Sequence, residues 1–287
     1  MSDQAANLRR KIEQLKGNKQ AKTIAIISGK GGVGKSNFAL NFSIGLSDQE
    51  KKVLIFDLDI GMGNIDILSG LSPRQSIVNM FAHNLSIHDI IETGPNAVSY
   101  IAAGSGLSEI FTMDEQKFNF FLNQLDELMT SYDYIIFDMG AGVSNGSIYF
   151  MLAADECIVV TTTEPTSLTD AYAIIKHVTS QNYQLPMFLV VNRAHSSKSG
   201  QETINRLQQV VRRFLERELM PIGIIPEDKT VFKAVSSQTP FMLYDPDARV
   251  SLVMKQIVKQ YVSEKINIEK KTPFSFIKRL KQIITER

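Results

Sequence analysis

Seven apolar runs, each four to six residues long, recur along the 287-residue chain with longer mixed stretches between them. They are Thr23–Ser28, Val53–Phe56, Val98–Ile101, Tyr134–Phe137, Cys157–Thr161, Met187–Val191 and Ile222–Ile225. Short continuous runs rich in β-branched residues predict strands buried on both faces. The stretches Ser36–Leu46, Asp114–Thr130, Ser167–Ser180 and Gln201–Leu219 predict helices. Strands alternating with helices predict an α/β fold, a doubly wound and mostly parallel sheet with helices on both faces. Such sheets bind ligands beyond the carboxyl ends of their strands, and the polar residues that close these runs fall there.

The two ends break the pattern. Residues 1–22 are polar, with six Lys or Arg against two Asp or Glu, and Ser263–Thr272 is polar and lysine-rich before Pro273. One domain is expected over 23–262, with an N-terminal segment 1–22 and a C-terminal linker and helix 263–287. An apolar content of 44% and a charged content of 21% fit a globular chain with ample core. The net charge of +1 predicts no global field that would draw it to nucleic acid, so no nucleic-acid partner is expected. The lone cysteine, Cys157, excludes an internal disulfide framework and paired-cysteine metal or cluster sites, and its place in a strand predicts a buried, inert thiol. No run approaches 18 apolar residues and the N-terminus lacks a signal-like apolar stretch, which predicts a cytoplasmic protein.

Between the first strand and the first helix lies Gly29-Lys30-Gly31-Gly32-Val33-Gly34-Lys35-Ser36, followed by Asn37. Glycines let successive backbone N–H groups converge on a phosphate, and the helix start adds its dipole. Lys35 is placed to reach the β- and γ-phosphates and Ser36 to hold Mg²⁺. Lys30 is surplus to one phosphate site and points to a charge meant for another nucleotide. The second run ends in Asp57-Leu58-Asp59, one carboxylate to support Mg²⁺ through water and one to orient an attacking water. Asp138 ends the fourth run before Met139-Gly140-Ala141-Gly142, as expected of an acid that senses Mg²⁺ beside a γ-phosphate switch. Asn192 can pair with an adenine edge and Arg193 can stack on the ring. Pro226, Glu227 and Asp228 are either a wall for the base or simply a capped loop.

In the tail, Phe274 and Phe276 lead into Ile277, Leu280, Ile283 and Ile284, which with Phe276 fall on one helical face, and Lys278, Arg279, Lys281 and Gln282 on the other. From Lys265 to Arg287 seven basic residues face two acidic ones. Two readings stand: a helix packed on the domain, or one that lies on an anionic membrane, which the charge clustering and Pro273 favour. At the other end, Leu8, Ile12 and Leu15 recur near helical spacing among Arg9, Arg10 and Lys11, as in a segment that folds on a partner or in a basic tail without a role.

With these motifs placed, roughly 23–262 resembles the MinD/ParA group of deviant Walker-type ATPases, P-loop NTPases of the SIMIBI class. The carriers are Lys30 to Ser36, Asp57-Leu58-Asp59 and Asp138 to Gly142. Within the group, Asp59-Ile60-Gly61-Met62-Gly63-Asn64-Ile65-Asp66, the opening Asp3-Gln4-Ala5-Ala6-Asn7-Leu8-Arg9 and the tail resemble the FlhG family (also called YlxH or FleN), which regulates flagellar number and placement. The resemblance implies ATP or ADP with Mg²⁺, slow hydrolysis, and an ATP-dependent homodimer in which Lys30 crosses to the partner's phosphates. It gives Lys35 and Asp59 catalytic roles and sets Asn192 on adenine. It further implies that Asp3, Gln4, Ala5, Leu8 and Arg9 activate an SRP-type GTPase, FlhF, that flagellar basal-body (C-ring) proteins are partners, and that the protein sits reversibly on the inner face of the cell membrane. The alternatives are a MinD-type cell-division regulator and a ParA-type DNA-partitioning ATPase. The latter needs a basic surface, whereas Arg206, Arg212, Arg213 and Arg217 are interleaved with Glu216 and Glu218.

Overall fold

The apolar runs become strands because their side chains are claimed from both sides. In β1 (Lys22–Ile27), Ala25 and Ile27 enter one core while Ile24 and Ile26 enter the other. The computed structural model describes residues 20–59, 64–102, 115–140, 147–263 and 275–285. Asp3, Gln4, Ala5, Leu8 and Arg9, and Phe274 in the tail, lie outside the described residues.

The helices are α1 (Lys35–Ser47), α2 (Ile65–Ser69), α3 (Ile77–His83), α4 (Glu115–Ser131), α5 (Ser147–Ala153) and α6 (Pro165–Gln181). They continue as α7 (Ser197–Leu215), α8 (Lys229–Ser236), α9 (Phe241–Tyr244), α10 (Arg249–Ser263) and α11 (Phe276–Thr285). The other strands are β2 (Val53–Leu58), β3 (Glu92–Thr93), β4 (Ser99–Ala102), β5 (Tyr134–Met139), β6 (Glu156–Thr162), β7 (Met187–Ala194) and β8 (Met220–Pro226). They form one sheet in the order β3-β4-β2-β5-β1-β6-β7-β8, parallel except for the β3–β4 pair. This is the expected doubly wound architecture with β1 at its centre.

One core lies between the sheet and α4, α5, α6, α7 and α11, the other between the sheet and α1, α9 and α10. Helix α1 is buried on nearly every side, which is why its pattern is apolar all round. At the amino ends of the strands sits a buried polar knot. Glu156 pairs with Lys22 at 2.6 Å and accepts the Tyr261 hydroxyl, and the Lys22 ammonium lies 5.0 Å from the centre of the Tyr261 ring. Next to it Asp155 accepts from the backbone and hydroxyl of Thr23, both at 2.8 Å, and its other oxygen takes Arg279 of α11 at 2.7 Å.

The tail helix is docked on the domain. Phe276 and Leu280 are buried, and Ile277, Ile283 and Ile284 pack partly against the same core. Phe276 stacks on Phe137 of β5 with ring centres 5.2 Å apart and lies near Phe150 of α5. Lys278 and Lys281 are exposed, while Arg279, expected on the outer face, turns inward to the Ala153 carbonyl and Asp155. Among the described residues no helix is long and apolar enough to cross a membrane. Cys157 is fully buried and free, and burial pushes its thiol up, which makes it inert as expected.

Candidate functional site

β1 hands the chain to the glycine loop at the middle of the sheet's carboxyl edge, and α1 starts beneath it. Two glycines are sterically required there. A Cβ on Gly29 would come within 2.0 Å of the Asp170 carbonyl. Gly34 holds φ +87 and a Cβ there would meet the Asn192 amide nitrogen at 2.3 Å. That amide donates to the Val33 carbonyl at 2.8 Å, so Asn192 braces the loop as well as bordering the base compartment.

Lys35 is buried, with Nζ 2.6 Å from Asp138 Oδ1 and 3.3 Å from Ser36 Oγ. Asp138 and Asp57 face one another across the β2–β5 register. Asp57 Oδ1 accepts the Asp59 N–H at 3.0 Å, and Oδ2 accepts the Tyr100 hydroxyl at 3.3 Å. Burial, then the Asp138 charge, pushes the Asp57 carboxyl up to about 7. Asp59 is half-buried and also raised, by burial first, with Lys35 opposing. Three acids therefore share one lysine, an arrangement that asks for a further positive charge. Asp138 Oδ2 is buried without a hydrogen-bond partner, and with Ser36 Oγ and Asp57 it makes an all-oxygen set suited to Mg²⁺. Among the described residues no group of three or more His, Cys, Asp or Glu forms a self-sufficient metal cage, so the ion is to be completed by phosphate oxygens and water.

Lys30 is exposed and turned along its own subunit, 3.1 Å from Glu164 Oε2 and 3.3 Å from Thr166 Oγ1 at the start of α6. The cleft has two compartments. The phosphate compartment is lined by Lys30, Lys35, Ser36, Asp59 and Asn64, with Ile67 and Val235 at its rim. The base compartment, about 380 Å³, is walled by Phe38, Asn192, Arg193, Pro226, Glu227 and Phe232. Gly32, Gly34 and Asn37 line both.

The structure thus gathers Gly29–Asn37, Asp57, Asp59, Asp138, Asn192, Arg193 and Pro226–Asp228 around one cleft. Some details differ from expectation. The Arg193 guanidinium is tethered to the Gly32 carbonyl at 3.3 Å, and its backbone sits at φ 54, a strained left-handed value that the bulge in β7 imposes. Asp228 borders the base compartment, but its carboxylate caps α8 through the Thr230 N–H at 2.9 Å and reaches the Val250 N–H at 3.4 Å. The capped-loop reading is the one these hydrogen bonds show. Tyr100, Glu164 and Asn41 are participants that motif reasoning passes over. None of the three belongs to a motif, and Asn41 shows in the sequence only as one amide between Leu40 and Phe42 in α1.

Fold and cleft together define a P-loop nucleotide hydrolase whose second lysine sits inside the loop. A family model described as an AAA domain matches residues 21–188. The chain belongs to the MinD/ParA family of ATPases, which take ATP or ADP with Mg²⁺. It is 30% identical over 249 residues to the antiactivator FleN of Pseudomonas aeruginosa, covering 87% of this chain and 89% of FleN. It is 32% identical over 282 residues to the flagellum site-determining protein YlxH of Helicobacter pylori, covering 92% and 90%. Its fold matches that of the septum site-determining protein MinD from Pyrococcus horikoshii, solved with Mg-ADP, at a TM-score of 0.67 and 22% identity, over 87% of this chain and 98% of that one.

Proposed function

We propose that this ATPase is a switch of location, which pairs with a second copy when ATP is bound and then binds the membrane to regulate flagellar number and placement. The observation that carries the reading is where the tail helix docks. Phe276 stacks on Phe137, the residue before Asp138, and lies near Phe150 of α5. Strand β5 thus carries Asp138, the partner of Lys35, and one residue before it the ring that the tail helix covers. A shift of Asp138 on nucleotide binding would be felt under α11.

In this reading Lys30 leaves Glu164 and Thr166 to reach the phosphates of the other copy. Lys35 turns from Asp138 to the β- and γ-phosphates, and Asp59 orients the water that attacks the γ-phosphorus. Ser36, Asp57 and Asp138 would hold Mg²⁺, which neutralises phosphate charge when bound. Release of α11 exposes Phe276, Leu280 and Ile283 beside Lys278 and Lys281, a face suited to anionic lipid. One short helix binds weakly, and two on a dimer gain about 10²-fold or more by avidity. The likeness to FleN and YlxH supports the flagellar setting, with the N-terminal segment acting on an SRP-type GTPase (FlhF) and C-ring proteins as further partners.

Co-sedimentation with anionic liposomes tests this directly. Wild-type protein should pellet in ATP and remain soluble in ADP, and Lys30→Ala should remain soluble in both. Equal pelleting of Lys30→Ala and wild type in ATP would falsify the switch. Pelleting with DNA instead of liposomes would favour the partitioning reading.

A further inference from the structure

A chain of amides runs from the nucleotide cleft to the backbone of α9. Asn41 is fully buried on α1, one turn after Asn37. Its Oδ1 accepts the Met242 N–H at 3.0 Å, and its Nδ2 donates to the Asn37 carbonyl at 2.9 Å and to Asn37 Oδ1 at 3.0 Å. Both backbone partners have fixed roles: an N–H only donates and a C=O only accepts. Asn41 therefore has one orientation, oxygen toward Met242 and nitrogen toward Asn37. Its second N–H is satisfied when the Asn37 amide turns its oxygen inward and its NH₂ outward.

Asn37 lines both compartments of the cleft, at the place where they meet. A nucleotide with its base against Pro226 and its outer phosphates on Lys35 has its ribose and α-phosphate at this junction. We propose that Asn41 is a positioning residue that locks Asn37 with its donor end toward the α-phosphate. Locked, Asn37 meets the anion with N–H groups; free to flip, it presents a carbonyl oxygen half the time and repels it. Helix α9, which gives the Met242 N–H, also carries Phe241 of the base compartment, so adenosine binding is the control for any shift of α9 in the Asn41 variant. The assignment rests on nucleotide binding in this cleft and not on tail release, so its failure leaves the membrane switch standing.

Calorimetric titration of ADP, AMP and adenosine tests it without turnover. Asn37→Ala removes the donor and Asn41→Leu, close in volume, removes the lock. A hydrogen bond to a charged group is worth about 1.5–3 kcal/mol, so Asn37→Ala should bind ADP and AMP about tenfold or more weakly, whereas Asn41→Leu, which leaves Asn37 competent about half the time, should bind them about twofold more weakly. Adenosine should bind both variants with wild-type affinity, since the loss is confined to the phosphate. The double variant should be no weaker than Asn37→Ala alone, because a lock without its target does nothing. If Asn41→Leu fails to fold, Asn37→Asp at the half-exposed position serves instead. It puts a carboxylate oxygen where the NH₂ stood and should weaken AMP far more than adenosine. Unchanged ADP and AMP affinity in Asn37→Asp, or equal losses for AMP and adenosine in Asn41→Leu, would overturn the assignment.

Discussion

The second lysine of the loop is held by partners that can let it go. Lys30 and Glu164 are both exposed, and exposed ion pairs are worth about 0–1 kcal/mol. Such a contact parks the ammonium and forms no strong bond to break. Glu164→Gln should therefore lower the ATP concentration needed for pairing by about twofold to fivefold, as read from light scattering against ATP. Lys35 contrasts with it, for both it and its partner Asp138 are buried. At this scale the loop, its acids and its asparagine are legible in the sequence, because glycine, lysine and carboxylate at strand ends have few other uses. Glu164, Tyr100 and Asn41 are not, because each acquires its role from a neighbour 134, 43 or 201 positions away.

Elements were legible to the extent that periodicity fixes them. The apolar face of α11 is the one that Phe276, Leu280 and Ile283 predict, yet periodicity says which face is apolar and not what covers it. What covers it in this structure is the aromatic floor of Phe137 and Phe150. Strands β6 and β7 run past their predicted ends because Glu156 is buried with partners and a bulge carries β7 to Ala194. Strand β3, two residues long and antiparallel, is too short to leave a pattern. The grip on the tail has a removable component in Asp155. Asp155→Asn keeps the apolar face intact and weakens the Arg279 pair, which should raise the liposome-bound fraction in ADP about fivefold, a change of about 1 kcal/mol. A bound fraction that stays at the wild-type level in ADP counts against the docked helix as the restraint.

At the scale of the whole molecule, the buried knot at the amino edge links stability to pH. Burial raises the Glu156 carboxyl above its ordinary value, outweighing Lys22 and Tyr261. The folded state then holds a proton that the unfolded chain has released, so stability falls as pH rises from about 4.3 up to the raised value and is level above it. Denaturant titrations across that range should show a steeper fall for wild type than for Glu156→Gln. Parallel slopes would remove Glu156 from the account.

The same knot has a geometric meaning. The Lys22 ammonium lies over the Tyr261 ring, so the two arms of the chain are rooted side by side, at the edge of the sheet opposite the nucleotide. Residues 1–19 join the domain just before Lys22, and the stretch after Ser263 leaves it just after Tyr261. The eleven residues from 264 to 274 can span at most about 40 Å. A target held by residues 1–19 and one held by α11 are thus tethered through roots that lie side by side, within the summed reach of the two arms, about 110 Å at full extension. If α11 meets a membrane as proposed, a partner recruited at the other root would search a thin layer beside the bilayer rather than the volume of the cell.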